Sequence, residues 1–254
     1  MRPSVPEVHI TDPRDAEYAA YRALAPQAVA GLIFGLLAPL ALIDPLLWII
    51  PALGLFFSCW ALRRIKKNSP TLTGRGMAMA GLTISLLIAV AAPTEWLVYR
   101  WKVRDEARQF SALWFRYLVQ DEPQKAHQLT MPPQRRLPFD NRLWDFYRNN
   151  PQPREALKGY VSSPTVRALL ALGPRSQVRF YDTAGQSRTD NDDQVEQLYA
   201  VTYEEDGERK SFFVSVRMSR PKLADGKSGW RIVGAEGGVL PKGRKKAESP
   251  VRGG

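Results

Sequence analysis

The sequence is poor in the side chains that most often carry chemistry. It has one cysteine, Cys59, and two histidines, His9 and His127, among 254 residues. A single cysteine excludes an intrachain disulfide and a thiolate metal cluster. We interpret Cys59 as an apolar filler of a helix, and each histidine as a surface or helix-capping residue, because neither histidine has a metal-ligand spacing.

Sequence motifs of catalysis and metal binding are also missing. The chain has no phosphate-binding glycine loop, nucleophile elbow or cysteine/histidine cluster. The acidic run Asp190, Asp192 and Asp193 lacks the turn glycine and terminal glutamate of a calcium loop, so we interpret it as a solvated loop between strands. The sequence therefore predicts no cofactor, no metal and no enzymatic activity.

Apolar and charged residues are distributed unevenly. Long apolar runs fill residues 27–98, whereas residues 99–254 carry 28 Lys/Arg against 19 Asp/Glu, which is +9 of the total +11. The polar start lacks the basic and apolar regions of a cleavable signal. Four parts are predicted: a disordered cytoplasmic tail (1–25), a membrane domain (26–98), a soluble domain (99–240) and a basic disordered tail (241–254).

Three apolar stretches, residues 26–43, 46–62 and 76–98, predict three membrane spans. The first two have about 17 residues each, near the lower limit for a hydrocarbon core roughly 30 Å thick. Asp44-Pro45 separates them, and one long apolar helix with this charged pair at its middle would be costly. We therefore expect a helical hairpin followed by a third span.

The loop after the second span predicts the orientation. It contains five basic residues and no acid: Arg63, Arg64, Lys66, Lys67 and Arg75. Short loops with an excess of Lys and Arg stay in the cytoplasm, so the amino terminus is predicted inside and the soluble domain outside. Arg100, Lys102 and Arg104 favour the opposite orientation, but they are outnumbered.

An apolar decapeptide occurs twice, as AVAGLIFGLL at residues 28–37 and AMAGLTISLL at residues 78–87, with six identical positions. Small residues recur three or four positions apart in all three spans, and small residues on one face let helices approach closely in lipid. We predict that these residues pack the three helices within one chain, and homodimerisation through such a stripe is the alternative. The predicted helix-packing residues are Ala28, Gly31, Gly35, Gly54, Ser58, Ala78, Gly81 and Ser85.

Two motifs adjoin the basic loop: A-L-R-R-I-K-K, from Ala61 to Lys67, and L-T-G-R-G-M-A-M-A-G-L, from Leu72 to Leu82. Through them, residues 20–98 resemble a widespread bacterial membrane module that is catalogued as a domain of unknown function. This resemblance implies a small integral membrane domain in a bacterial cell membrane, beside a variable extramembrane domain. The module has no assigned catalytic residues.

The soluble part changes from helical to strand periodicity. Helices are expected at 102–119, 139–149 and 153–172, the last interrupted at Ser163-Pro164; four strands are expected at 176–182, 194–204, 209–219 and 229–236. Asp206-Gly207 predicts a tight hairpin turn. This order predicts an α+β domain with helices packed on one face of a curved four-stranded antiparallel sheet.

The element order and the ending S-G-W-R-I-V-G-A, from Ser228 to Ala235, resemble the nuclear transport factor and cystatin-like group. The resemblance implies a cone around a pocket, for which the candidate residues are Tyr199, Phe212 and Trp230. If these side chains fill the cone, the pocket cannot serve an enzyme. Arg179, Arg217 and Arg231 are interpreted as facing solvent, with anion binding inside the pocket as the alternative.

The sequence thus favours an integral membrane protein that presents an α+β domain for binding a protein partner or a small ligand. Two alternatives stay open: a membrane-anchored enzyme that uses the cone, and a membrane oligomerisation module with a spacer domain. The lipid bilayer is the expected partner of the spans. Nucleic acid is disfavoured for an external domain. The basic tail is interpreted as solubilising, with anionic lipid or an acidic envelope polymer as other partners.

Overall fold

The computed structural model describes residues 23–67, 72–189, 191–221 and 228–239. The chain separates into two compact units, Met1–Tyr99 and Arg100–Gly254. His9 lies outside the described residues, together with most of the predicted amino-terminal tail and all of the predicted carboxyl-terminal tail.

The first unit is built from helices. Its elements are β1 (Ala23–Leu24), α1 (Pro26–Leu37), two 3₁₀ helices (Ala38–Leu42 and Pro45–Trp48), α2 (Ile49–Lys67), β2 (Leu72–Thr73) and the first part of α3 (Arg75–Val119). The two short strands pair in parallel. At the predicted hairpin turn, the Asp44 carboxylate accepts a hydrogen bond of 2.7 Å from the backbone N–H of Leu46. Asp44 therefore caps the start of the second 3₁₀ helix.

Two helical stretches, Pro45–Lys67 and Arg75–Val119, are long and apolar enough to cross a membrane by length and composition. The apolar helix Pro26–Leu42 is shorter. Of the three predicted spans, two therefore have the required helical length and the first does not. The first is divided because α-helical geometry changes to 3₁₀ geometry at Ala38, just before Pro39, which has no N–H to donate.

Helix α3 joins two segments that the sequence analysis treats separately. The predicted span 76–98 and the predicted amphipathic helix 102–119 form one helix of 45 residues. Pro93 lies inside this helix, and the neighbouring Thr94 hydroxyl donates a hydrogen bond of 2.7 Å to the carbonyl of Val90. The expected direct continuation of segment 76–98 into the next helix is thus present.

Four shorter helices follow in the second unit: α4 (Pro123–Gln128), α5 (Arg142–Asn149), α6 (Pro151–Ser162) and α7 (Pro164–Leu172). Asp121 has a φ of 56°, and this left-handed residue turns the chain after α3. Proline begins α4, α6 and α7, where its missing N–H costs nothing. The predicted break at Ser163-Pro164 is confirmed, because it separates α6 from α7.

The predicted four-stranded antiparallel sheet is also confirmed. Its strands are β3 (Gln177–Arg188), β4 (Asp192–Glu205), β5 (Glu208–Pro221) and β6 (Arg231–Gly237), in the order β3-β4-β5-β6. Asp206 and Gly207 have positive φ angles of 55° and 76°, which suit a type I′ hairpin. Strand β3 extends past the predicted residue 182, and two register shifts there interrupt the alternation on which the prediction rests.

The core of the second unit lies between α3 and one face of this sheet. Val195, Val201, Val214 and Val216 are buried on that face. The Phe115 ring of α3 packs against Tyr199 of β4, with ring centroids 4.8 Å apart. The expected packing of a helix on one face of the sheet is therefore observed.

Candidate functional site

The small residues of the first unit form one contact surface. All eight predicted helix-packing residues are buried. A Cβ placed on Gly35 would lie 3.0 Å from the carbonyl oxygen of Gly81, and one placed on Gly81 would lie 2.6 Å from the carbonyl oxygen of Gly31. The backbones of α1 and α3 therefore touch where the two decapeptides contain glycine.

Helix α2 joins this contact through its own small residues. A Cβ on Gly31 would meet the Ser58 side chain and lie 3.0 Å from the Ser58 backbone nitrogen. A Cβ on Gly54 would meet the Ser85 side chain and lie 3.3 Å from the Gly35 nitrogen. Each pair among the three helices thus contains a contact that a larger residue would obstruct.

Large apolar side chains lie on the outside of the same helices. Each of the following is more than half exposed: Ile33, Leu36, Ile43, Leu46, Ile49, Phe56, Leu86, Leu87, Val90 and Leu97. Water-soluble domains usually bury such residues and expose polar ones. The first unit has the opposite distribution, with glycine, alanine and serine inside.

The residues predicted to determine the topology lie at two helix ends that are close in sequence. Arg63, Arg64, Lys66 and Lys67 occupy the end of α2, and Arg75 begins α3. All five are exposed. Basic residues at the end of α2 are also favoured by the partial negative charge of a helix carboxyl terminus.

The candidate cone residues pack against other side chains of the second unit. Tyr199 is 3 % exposed; its hydroxyl donates to Gln197 Oε1 at 2.7 Å and shares a second hydrogen bond with Ser111. Burial raises the pKa of Tyr199 to about 12, although the Ser111 hydrogen bond opposes this rise. The phenol therefore stays protonated and connects α3 to the sheet.

The other two cone residues also pack inside the second unit. Trp230 is buried, and the Arg220 guanidinium lies over its ring, 5.2 Å from the centroid. Phe212 is partly buried and meets Tyr203 edge-on, with the centroids 6.1 Å apart. Tyr199 and Trp230 are therefore core side chains of the second unit.

A charged cluster that the sequence analysis misses lies beside Trp230. Arg220 donates to Asp193 at 2.8 Å and to Glu106 at 2.5 Å. Asp192 and Asp193 both belong to β4, so their assignment to a solvated loop is wrong. Asp193 is 1 % exposed, and Arg220 balances its charge. Asp190 lies outside the described residues. Periodicity gives no signal for this cluster, because its members are distant in sequence.

The interpretation of His127 is also wrong. It is buried rather than a surface or capping residue, and its Nδ1 lies 2.7 Å from the Tyr147 hydroxyl. Because that hydroxyl accepts a hydrogen bond from Gln128 Nε2 at 2.8 Å, it is free to donate to a neutral His127. Burial lowers the pKa of His127, which also favours the neutral ring.

The opposite face of the sheet carries the three strand arginines. Arg179 and Arg217 are exposed, and Arg217 pairs with Glu236 at 2.6 Å. An open groove of about 340 Å³ on this part of the sheet includes Glu196, Arg217 and Arg231 in its lining. Among the described residues, Nε of Arg231 is buried without a hydrogen-bond partner. Arg179 and Arg217 therefore face solvent, as the favoured interpretation expects, whereas Arg231 is only partly exposed.

No protein-family model matches the chain, and no curated protein matches it. Among solved structures, it is similar to a crystal structure of an NTF2-like protein with a cystatin-like fold from Novosphingobium aromaticivorans. The two are 17 % identical with a TM-score of 0.35, over 61 % of this chain and 91 % of the other. The description of that structure names the same fold group to which the sequence analysis compares the soluble part.

Proposed function

We propose that the chain is an integral membrane protein of a bacterial cell membrane, in which a three-helix anchor holds an α+β binding domain. The observation that carries this proposal is the distribution of side chains in the first unit. In the two long apolar helices, only 22 % and 28 % of the most apolar stretch is buried. A helix in the core of a soluble protein would be mostly buried, so these surfaces need an apolar environment.

The size of the exposed apolar surface supports a lipid environment. Fully burying one Leu, Ile or Phe side chain gains about 1.5–3 kcal/mol. The ten side chains identified above are each more than half exposed in the isolated chain. Leaving them in water would forgo on the order of 10 kcal/mol, which is comparable with the whole net stability of a typical domain.

The first apolar segment is the weakest of the proposed spans, but its geometry suits the role. Pro26–Leu37 is α-helical and Ala38–Leu42 is 3₁₀-helical. Because a 3₁₀ helix rises about 2.0 Å per residue, the two together would extend about 28 Å if collinear, close to the thickness of a hydrocarbon core. We therefore include this segment as the third membrane helix.

The proposed orientation follows the basic residues that flank the membrane helices. Arg63, Arg64, Lys66, Lys67 and Arg75 would lie on the cytoplasmic side, with the second unit outside. In that location the second unit would bind a protein partner or a small ligand. The groove beside Glu196, Arg217 and Arg231 is the proposed binding surface, since groups of both charges line it, whereas Tyr199 and Trp230 are buried on the opposite side of the sheet.

Membrane extraction followed by a topology reporter tests this proposal. The full chain should stay in the membrane pellet after alkaline carbonate washing, and release into the supernatant would contradict the membrane anchor. A periplasm-dependent phosphatase fused after Gly254 should be active. Activity of a cytoplasm-only reporter at the same position would instead reverse the orientation and reopen nucleic acid as a partner.

Binding by the groove needs a separate test. A pull-down from solubilised envelopes with the full chain should lose its bound partner when Arg217 and Arg231 are both changed to Gln. The double change Arg175→Gln and Arg209→Gln removes the same charge elsewhere on the second unit and serves as the control. Equal retention by both variants would contradict the groove as the binding surface.

A further inference from the structure

A groove on the outer surface of α2 joins an apolar wall to a basic group. It is lined by Leu55, Phe56, Cys59, Trp60 and Arg63, and its volume is about 360 Å³. These positions are spaced by one, three or four residues, which places them on one side of the helix. Phe56 and Trp60 are 61 % and 46 % exposed, so the groove is open to whatever surrounds the helix.

The groove has two chemically different ends. Phe56 and Trp60 lie with their ring centroids 6.0 Å apart and provide the apolar part. Arg63 lies seven residues after Phe56, which corresponds to about 10 Å along the helix axis. A ligand that fits both ends therefore has a hydrocarbon chain and, about 10 Å away, a group that accepts hydrogen bonds from a guanidinium.

We propose that this groove binds one anionic phospholipid, with an acyl chain against Phe56 and Trp60 and the phosphate at Arg63. The inference rests on the proposed membrane function. Guanidinium groups bind phosphate oxygens in a bidentate manner, and tryptophan favours the headgroup region of a bilayer. Arg64, Lys66 and Lys67 add positive charge at the same end of α2, which attracts an anionic membrane surface in general rather than one bound lipid.

The position of Arg63 distinguishes a binding site from general attraction. Arg63 and Arg64 are both exposed, carry the same charge and lie on the same helix, but only Arg63 is in the groove lining. Successive residues differ by about 100° around a helix, so Arg64 lies to one side of Arg63, beyond the Trp60 edge of the groove and outside its lining. Within the described part of the chain, no carboxylate forms an ion pair with Arg63.

Native mass spectrometry of the full chain tests the site. The protein is reconstituted in nanodiscs with equal amounts of phosphatidylglycerol and phosphatidylcholine of the same acyl chains, and the lipids retained after release are counted. The parent should retain phosphatidylglycerol preferentially. Arg63→Gln should lower its retention at least fivefold, whereas Arg64→Gln should change it less than twofold.

Trp60→Leu keeps an apolar side chain but removes the aromatic wall, and it should lower retention of both lipids. Equal losses in the two arginine variants, or no preference for phosphatidylglycerol in the parent, would overturn the inference. Circular dichroism of each variant identifies any that fails to fold. If the parent is released by carbonate washing, the membrane proposal itself fails, so the two failures are distinguishable.

Discussion

Substitution of Gly81 by alanine should loosen the helix packing of the first unit. A Cβ at this position would lie 2.6 Å from the Gly31 carbonyl oxygen and 2.9 Å from the backbone nitrogen of Leu32. Ordinary contacts begin near 3.4 Å, so α1 and α3 would have to separate by roughly 0.8 Å. Because the obstructing atoms belong to the backbone, no side-chain rotation can relieve the contact.

The expected magnitude is a balance of two effects. Overpacking of this kind typically costs about 1–3 kcal/mol. Alanine in a helix interior is more favourable than glycine by about 1 kcal/mol, which offsets part of that cost. We therefore expect Gly81→Ala to lower the stability of the first unit by up to about 2 kcal/mol, and the larger Gly81→Leu to lower it further.

Gly76 offers a matched control on the same helix, because a Cβ placed there would meet nothing within 4 Å. Gly76→Ala should be neutral or stabilising by up to about 1 kcal/mol. The assay is SDS- or heat-induced unfolding of the full chain in mild detergent. Protease resistance of the second unit checks that it stays folded. If Gly81→Ala proves as stable as Gly76→Ala, the helices do not approach as closely as described.

Three further predictions concern the second unit. Asp193→Asn should lower the free energy of unfolding by about 2 kcal/mol, since it leaves the charge of Arg220 less compensated. Glu236→Gln breaks an exposed ion pair, and in the same urea titration it should cost less than about 0.5 kcal/mol. Tyr199→Phe removes two buried hydrogen bonds and should cost about 1–2 kcal/mol, seen as a lower urea midpoint. Because the pKa of His127 is lowered in the folded state, the unfolded chain binds the proton more readily. The contribution of His127 to stability should therefore be constant above about pH 6.5 and fall below it. His127→Gln should reduce that fall. A His127→Gln variant with the same acid sensitivity as the parent would contradict this assignment.

Local sequence patterns predict the elements of this fold, but they do not indicate which residues distant in sequence pair with each other. The hairpin at Asp206-Gly207 and the break at Ser163-Pro164 follow from backbone chemistry at single sites, so the sequence was sufficient. The full length of β3 was not predictable, because its register shifts depend on how β4 pairs with it. His127 and Asp193 were misassigned for the same reason: their partners Tyr147 and Arg220 are 20 and 27 residues away.

The repeated decapeptide has a specific role in the packing of the first unit. The parallel pairing of β1 with β2 starts α1 and α3 at the same level, so equivalent positions of the two copies meet. Ala28 and its counterpart Ala78 share one buried cluster. Gly81 touches Gly31, its counterpart in the first copy.

The one exchange of a small residue for another, Gly35 for Ser85, falls where Gly54 of α2 meets both helices. Gly35 and Ser85 must both be small, because α2 lies against α1 and α3 at that level. Their identities can differ, since the Gly35 backbone and the Ser85 side chain each bring an atom into contact with Gly54. The repeat is therefore explained by two parallel helices that face a common neighbour, a geometry that requires equal spacing of small residues in both copies and leaves the outward positions free to vary.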